Sequence, residues 1–537
     1  QEGNKRVSVL RHFGALRIPA IVRRVLPQPS EEPRIIAYYE FLDFFRMTRL
    51  YTVQFRRPGD YHKLLTYVGK KPEEPWTEAE IRTFNAYYQY FLDAFHALNL
   101  KDTDVLPEEA LLHWLSLYPY RELGTMTAAE LKKTLLAIRE DVLSTAHPDT
   151  LKMETRVEVD KPGILNRLVS PGLDHLNVAF VHQLTPATSG WALGHENGAE
   201  YLRRIQSDRV TVKSYYDAND PASAEASIAE AVREGAQVVF TTAPLLRRAT
   251  LKAAARFPKV RFFNCSVDQP YSSICSYYGR VYEGKFITGA IAGAMAQNDR
   301  IGYIASYPIF GVPASINAFA LGAQLTNPRA QIELRWSCTP GNHQADFLAS
   351  GIRVISNRDT PVQSGMYLDF CNYGTYQLSD RGDLIPLASP VWVWGNFYEA
   401  AAEKLLNGTW KNEKGHPTNY WLGMDSGVID LSVSEKLPEG VRAMAGILRE
   451  GLIDRTIDPF RRRITAQDGT VMSDGSRSFT PDEILHMDWL CSNVVGSIPS
   501  GQELLPMALP MVQELGIYRN RSAGEKEAPH EGTDPVG

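Results

Sequence analysis

The sequence predicts an α/β fold with two parallel-sheet lobes and a cleft between them, preceded by an α+β segment and then a helical one. Three observations carry this reading. From Leu176 onward, short apolar runs alternate with helix-length runs of mixed polarity, the rhythm of βαβ units and a parallel sheet. That rhythm passes through two successive sets, so two sheets are expected rather than one. At 537 residues the chain also exceeds what a single core serves.

Taken in order, residues 1–75 mix short β-type runs with one helical pattern, Val7 to Phe13. The aromatics between Ile35 and Phe55 (Tyr38, Tyr39, Phe41, Phe44, Phe45, Tyr51) are read as core rather than as a stacking platform. Residues 76–150 read as helical, with Thr77-Glu78-Ala79-Glu80 and Thr127-Ala128-Ala129-Glu130 as capping boxes. Pro148, Pro162 and Pro171 mark a linker, placed at 151–175. The main unit spans 176–499, with lobes over about 176–297 and 298–431 and returning helices over 432–499.

Within that unit, strands are predicted at 176–182, 210–215, 237–241, 260–264, 300–306 and 331–337, with shorter ones at 352–356, 366–370 and 385–388. Helices are predicted from about His195 and over 222–234, 245–257, 283–296 and 314–325. Thr480-Pro481-Asp482-Glu483 places an N-cap, a proline at the first helical position and a glutamate at the third. Residues 500–537 read as a tail, partly disordered.

Hydrophobic content of 44% and charged content of 22% are those of an ordinary globular chain. Net charge of −5 gives no general pull toward nucleic acid. Residues 1–60 nevertheless hold eleven Lys/Arg against six Asp/Glu, a basic segment that either meets phosphates or simply faces solvent. No apolar run reaches membrane-spanning length. The chain opens at Gln1 without an initiator Met and inside a structured-looking motif, so its start is read as truncated. Five cysteines (Cys265, Cys275, Cys338, Cys371, Cys491) form no CxxC pair, which argues against structural zinc and a disulfide framework. Free thiols and the lack of a visible signal or lipobox favour a cytoplasmic setting. The alternative is the extracytoplasmic face of the plasma membrane, with a signal lost upstream.

Tests for catalysis find no GxSxG, HExxH, GxxxxGK[ST] or GxGxxG after a strand. His195 and Glu196 are adjacent on a helix and so do not face one another; His182 ends a strand and is read as structural before functional. No catalytic residue, metal site or cofactor is predicted. The loops carry binding chemistry instead. Trp191, in the Gly-flanked loop after the first strand, suits stacking on a flat ring, or else packs against its own lobe. Thr241 and Thr242 offer hydroxyls at the same sheet edge. Asp359, in Asn357-Arg358-Asp359-Thr360-Pro361, is either a hydrogen-bond acceptor or a helix N-cap.

These residues belong to a longer pattern. Tyr278-Gly279-Arg280-Val281-Tyr282-Glu283-Gly284-Lys285-Phe286, then Gly289 to Gly293, Ile301-Gly302-Tyr303-Ile304 and Asn317 to Ala323, follow one another in order. With Ser189-Gly190-Trp191, Asp359-Thr360-Pro361 and Pro390 to Gly395, the segment from Asn177 to about Pro499 resembles the basic membrane protein (BMP) family of solute-binding proteins. Relatives of that family include purine nucleoside receptors of ABC transporters. The resemblance implies a type I periplasmic-binding-protein fold whose lobes close on a nucleobase or nucleoside. It puts Trp191 at the ring-stacking position and Asp359 at the second-lobe carboxylate. Thr241, Thr242, Tyr278, Glu283, Asn357 and Trp392 then fall on loops expected to line the cleft. Departures are a short stretch from Thr339 to Ile352, which predicts a trimmed helix, an Asn357-Arg358 pair before Asp359, and the loop from Cys371 to Asp380.

The segment from Glu2 to Leu10, followed by Phe13-Gly14 and Ile18 to Val22, resembles the second motif of ParB/sulfiredoxin-like domains. This implies phosphate handling by Gly3, Asn4 and Arg6 at a helix start. The expected function is non-enzymatic binding of a purine-like ligand as the substrate-binding component of an ABC-type uptake system, with a transporter permease as partner. The alternative is an intracellular sensor that couples purine binding to the N-terminal module, with nucleic acid as a further partner.

Overall fold

In the computed structural model the described residues are 26–30, 32–71, 74–98, 105–146, 151–159, 172–267, 270–357, 374–379, 381, 383–410 and 417–517, with Val9 and His12. Gly3, Asn4, Arg6, Cys371, the expected strand 366–370 and Asp359 lie outside them.

The N-terminal part is helical wherever it is described. Between 26 and 71 stand helices Pro33–Thr48 and Asp60–Val68 and, among the described residues, no strand; the β-type run expected over Leu16 to Val22 lies outside them. Ala37, Phe44 and Thr48 are buried at helical spacing, a period that strands cannot satisfy. The aromatic stretch divides: Phe44 and Phe55 are core, whereas Tyr51 is 65% exposed. Helix Glu78–His96 opens on a full capping box, with Glu80 N–H on Thr77 Oγ1 and Thr77 N–H on Glu80 Oε2. It buries Phe84, Tyr88, Phe91 and Phe95 on one face. Helices Pro107–Leu117, Ala128–Ala137 and Arg139–Ala146 complete the bundle, the second opened by the Thr127–Glu130 box.

This bundle shares a core with the unit that follows. Phe91, Trp114 and Leu131 belong to one apolar cluster with Ala224, Ile228, Ala249 and Ala253. Polar ties reinforce it: buried Asp141 accepts from Ser273 N–H (2.8 Å) and Ser273 Oγ (2.6 Å), and Arg248 Nη2 donates to the Leu117 carbonyl (3.2 Å).

The first lobe is a parallel sheet. Its strands are β1 (Lys152–Glu154), β2 (Leu176–Val181), β3 (Val210–Tyr215), β4 (Val238–Thr241), β5 (Arg261–Cys265), β6 (Cys275–Gly279) and, from much later in the chain, β12 (Thr418–Leu422), in the order β1-β12-β6-β5-β4-β2-β3. The start of the expected 151–175 linker is therefore corrected to an edge strand, because Lys152–Glu154 pairs in register with Thr418–Tyr420. The second lobe holds β7 (Arg300–Ala305), β8 (Gln331–Trp336), β9 (Val354–Ser356), β10 (Thr375–Leu378), β11 (Leu384–Trp392), β13 (Ile429–Val433) and β16 (Val494–Val495), in the order β13-β11-β10-β9-β7-β8-β16, while β14 (Arg463–Thr465) and β15 (Val471–Asp474) form a separate antiparallel pair. In it β10 runs antiparallel to β9 and β11, so β11 points the same way as β7 and β9.

The lobes are interleaved, which corrects the expected consecutive lobes at 176–297 and 298–431. The chain leaves the first sheet after β6 into helix Tyr282–Met295 and returns after β11 into helix Trp394–Leu406. After β12 it crosses again to β13. Helix Trp394–Leu406 packs on helix Gly190–Ile205 of the first lobe, and its Tyr398 meets Phe180 edge-on at 4.7 Å.

In the second lobe, helices Tyr282–Met295 and Val312–Thr326 lie almost backbone to backbone. A Cβ on Gly289 would stand 2.1 Å from the Phe319 carbonyl oxygen, and one on Gly322 2.0 Å from that of Phe286. Gly289→Ala is expected to cost about 1–3 kcal/mol through overpacking, read as a lower midpoint in thermal unfolding. Helix His343–Ala349 is only 7 residues long, in line with the trimmed spacing before Ile352. Thr480 caps helix Pro481–Leu485 as its motif requires. Residues 500–517, expected as tail, are folded, because Leu504, Ala508, Leu515 and Ile517 are buried; 518–537 lie outside the described residues. Among the described residues no helix is long and apolar enough to cross a membrane.

Candidate ligand-binding site

Parallel strands end at one edge of their sheet, and ligands of such folds sit off that edge. Here the two edges face each other across a cavity of about 370 Å³. The first lobe contributes Gln183 after β2, Thr242 after β4 and Tyr278 near the end of β6. The second contributes Ser306 and Tyr307 after β7, Asn357 after β9 and Trp392 at the end of β11. Trp191 and Lys285 reach in from helices.

Trp191 owes its place to a cap. The helix begins at Gly190, not near His195 as expected, because Ser189 Oγ accepts the Ala192 N–H at 3.2 Å. Trp191 therefore stands in the first turn, where Nε1 donates to the Thr242 carbonyl at 2.7 Å. Its ring meets Trp392 at 5.7 Å and Trp394 at 5.9 Å, both edge-on, and tilts toward Tyr278 at 6.2 Å. The two sequence readings of Trp191 are thus compatible: it packs against its own lobe and also lines the cavity.

Thr241 and Glu283 do not line it. Thr241 Oγ1 is spent in the core, donating to the Phe263 carbonyl (3.0 Å) and accepting from Asn264 Nδ2 (2.9 Å). Adjacent positions on a strand face opposite ways, and it is Thr242 that reaches the cleft. Glu283 serves the crossing between lobes. Its Oε2 accepts the Met424 N–H at 2.7 Å, and Oε1 lies 3.4 Å from Arg280 Nη2, which also binds Asp425. Burial raises the Glu283 pKa, while Arg280 pulls it back down. Gly423 makes room for this cluster: a Cβ there would fall 2.4 Å from Arg280 Nη2.

His182 is a structural histidine. It is fully buried, with Nε2 3.1 Å from Glu196 Oε2 and Nδ1 3.0 Å from Thr242 Oγ1. Burial pushes the Glu196 pKa up, but hydrogen bonds from His182 and Ser214 with nearby charge bring it below the ordinary carboxyl value. His195 is buried and held neutral by desolvation, its Nδ1 2.5 Å from Tyr398 Oη. His195 and Glu196 therefore serve separate partners.

The sequence reading missed Lys285, Tyr303, Tyr307 and Phe310, all on the cavity wall. Lys285 is 3% exposed, with Nζ 3.1 Å from Ser356 Oγ and 5.0 Å from the centre of the Tyr303 ring. One signal was available: a lysine inside a Gly/Ala-rich helix that is apolar all round is out of place unless it has a polar destination. Cys265, Cys338 and Cys491 are buried free thiols.

Two α/β lobes with three crossings and an interlobe cavity constitute the type I periplasmic-binding-protein fold. Within it, residues 177–346 match the family described as Bmp, ABC transporter substrate-binding protein PnrA-like. The chain is 28% identical over 337 residues to a purine-binding protein of Brucella abortus (strain 2308), covering 61% of this chain and 95% of that protein. It is 27% identical over 286 residues to the "Putative ABC transporter glucose-binding protein TsgA13" of Haloferax volcanii, covering 50% and 71%. Among solved structures, an ABC transporter solute-binding protein from Conexibacter woesei aligns at 16% identity and a TM-score of 0.42, over 53% of this chain and 98% of that one. The family match lies wholly within the two-lobed unit and includes none of the N-terminal segment that resembles ParB.

Proposed function

We propose that the chain binds a purine base or nucleoside between its lobes, without chemical conversion, as the substrate-binding component of an ABC-type uptake system. The observation that carries this is the aromatic wall built from both lobes, with Trp191 and Tyr278 supplied by the first and Tyr303 and Trp392 by the second. Aromatic faces suit a flat heteroaromatic ring, and about 370 Å³ lies within the size range of small-molecule sites. The purine-binding relative supports the ligand class. The glucose-binding name of the other relative makes sugar the competing ligand, since aromatic rings also stack on sugars.

Thermal unfolding against adenine, adenosine, guanosine and glucose tests the reading. A purine present at a hundred times its Kd is expected to add about 2.7 kcal/mol of stability. A response to glucose with none to any purine would overturn it. A second reading, ligand sensing passed to the N-terminal helices, is favoured by the core that those helices share with the first lobe. Uptake requires the extracytoplasmic face and sensing the cytoplasm, so fractionation of the native protein separates the two.

A further inference from the structure

The chain after β16 crosses the cleft. Turns Gly501–Glu503 and Pro506–Ala508 lead into a short helix, Leu509–Leu515. The end of this helix is tied to the second lobe: Phe310 N–H donates to the Leu515 carbonyl at 3.0 Å and Ile517 N–H to that of Pro308 at 3.2 Å. Ile309 and Gly516 form an antiparallel bridge. The turn at Gly516 is tight, for a Cβ there would stand 2.2 Å from the Val512 carbonyl oxygen. The same helix also packs against the Pro244–Leu246 turn of the first lobe, two residues beyond Thr242. Between these anchor points Met511 lines the cavity, in the company of Ile309, Phe310, Val312 and Leu485.

We propose that Leu509–Ile517 is a strap across the cleft, and that Met511 is the specificity-determining residue that sets the ligand's upper size. The ligand class rests on the purine reading above. Met511 and its four neighbours offer only aliphatic, aromatic and thioether surface. A phosphate pressed against them sheds its hydration and gains no charged donor from these side chains. An uncharged base or nucleoside is therefore admitted and a nucleoside phosphate turned away. Because the backbone ties run to the second lobe, opening the cleft pulls the strap off the Pro244–Leu246 turn, and ligand exit waits on that release.

The test uses Ser306→Cys, a reporter thiol on the cavity wall, in the full chain, in a chain ending at Ala508 and in one ending at Ile517. Maleimide alkylation of residue 306 is followed by peptide mass spectrometry on ligand-free protein. It is expected to speed up about tenfold without the strap, as a local opening becomes easier, and to stay unchanged in the chain ending at Ile517. Leu245→Glu, on the first-lobe side of an otherwise full chain, is expected to give the same acceleration even if the shortened chain fails to fold. Met511→Ala shortens the strap side of this wall, so that a phosphate there keeps its water, and is expected to let adenosine monophosphate raise the melting temperature, which it does not do in the parent. Equal alkylation rates with and without the strap contact overturn the strap, and a response of the parent to the monophosphate overturns the size limit. Accelerated alkylation with no purine response in any chain leaves the strap standing and removes the purine reading together with the size limit.

Discussion

Trp191→Ala is expected to abolish most of the rise in melting temperature that a bound purine produces, weakening binding about tenfold to a hundredfold. The scale follows from about 1–3 kcal/mol per stacked base and about 1.4 kcal/mol per tenfold change in affinity. The effect is large because the ring is held in advance. Its Nε1 is fixed on the Thr242 carbonyl and its ring meets Trp392 and Trp394 edge-on, so little ordering remains to be done on binding. Trp191→Phe keeps an aromatic face but loses that hydrogen bond, and should fall between parent and Ala. Calorimetric titration of the three proteins decides: equal affinities would show that Trp191 is packing alone.

Arg280→Met is expected to destabilise the protein by about 3–5 kcal/mol, the cost of stranding a buried charge. Arg280 lies against Glu283 and Asp425, whose side chains are each 8% exposed. Without the guanidinium, burial and the nearby Asp425 charge act on Glu283 against only the Met424 N–H and Arg455, and its pKa rises further above that of the unfolded chain. The sign of the pH effect follows: the cost is complete above the raised value, shrinks as pH falls from there to the ordinary carboxyl value, and is gone below it. Urea unfolding should therefore show a wide gap between variant and parent at neutral pH and a narrower one in acid. A gap that does not change with pH would mean that lost packing, not charge, is responsible.

The local periods were legible and the long-range pairings were not. From Leu176 to Trp336 six of the seven strands lie within a residue of their predicted limits, because alternation and helical spacing are local properties; β6, which carries Tyr278, was read as loop. The interleaving of the lobes depends on β12 inserting between β1 and β6, a pairing across more than a hundred residues that no local pattern announces. The same limit governs the site. Trp191, Thr242, Tyr278, Asn357 and Trp392 were reachable because each stands at or near a strand's C-terminal end or the loop after it. Thr241 and Glu283 were misassigned because one residue of register or one helical turn decides which way a side chain faces.

The core shared between the N-terminal helices and the first lobe has a practical consequence. By sequence the binding unit starts at residue 176, so a fragment beginning there reads as self-sufficient. Cutting there would uncover the side of helix Arg247–Arg256 that packs on helices Pro107–Leu117 and Ala128–Ala137, and would deprive Ser273 of its Asp141 partner. Such an exposed apolar surface invites aggregation. The bundle is a structural wall of the first lobe, and the chain should be expressed with it in place.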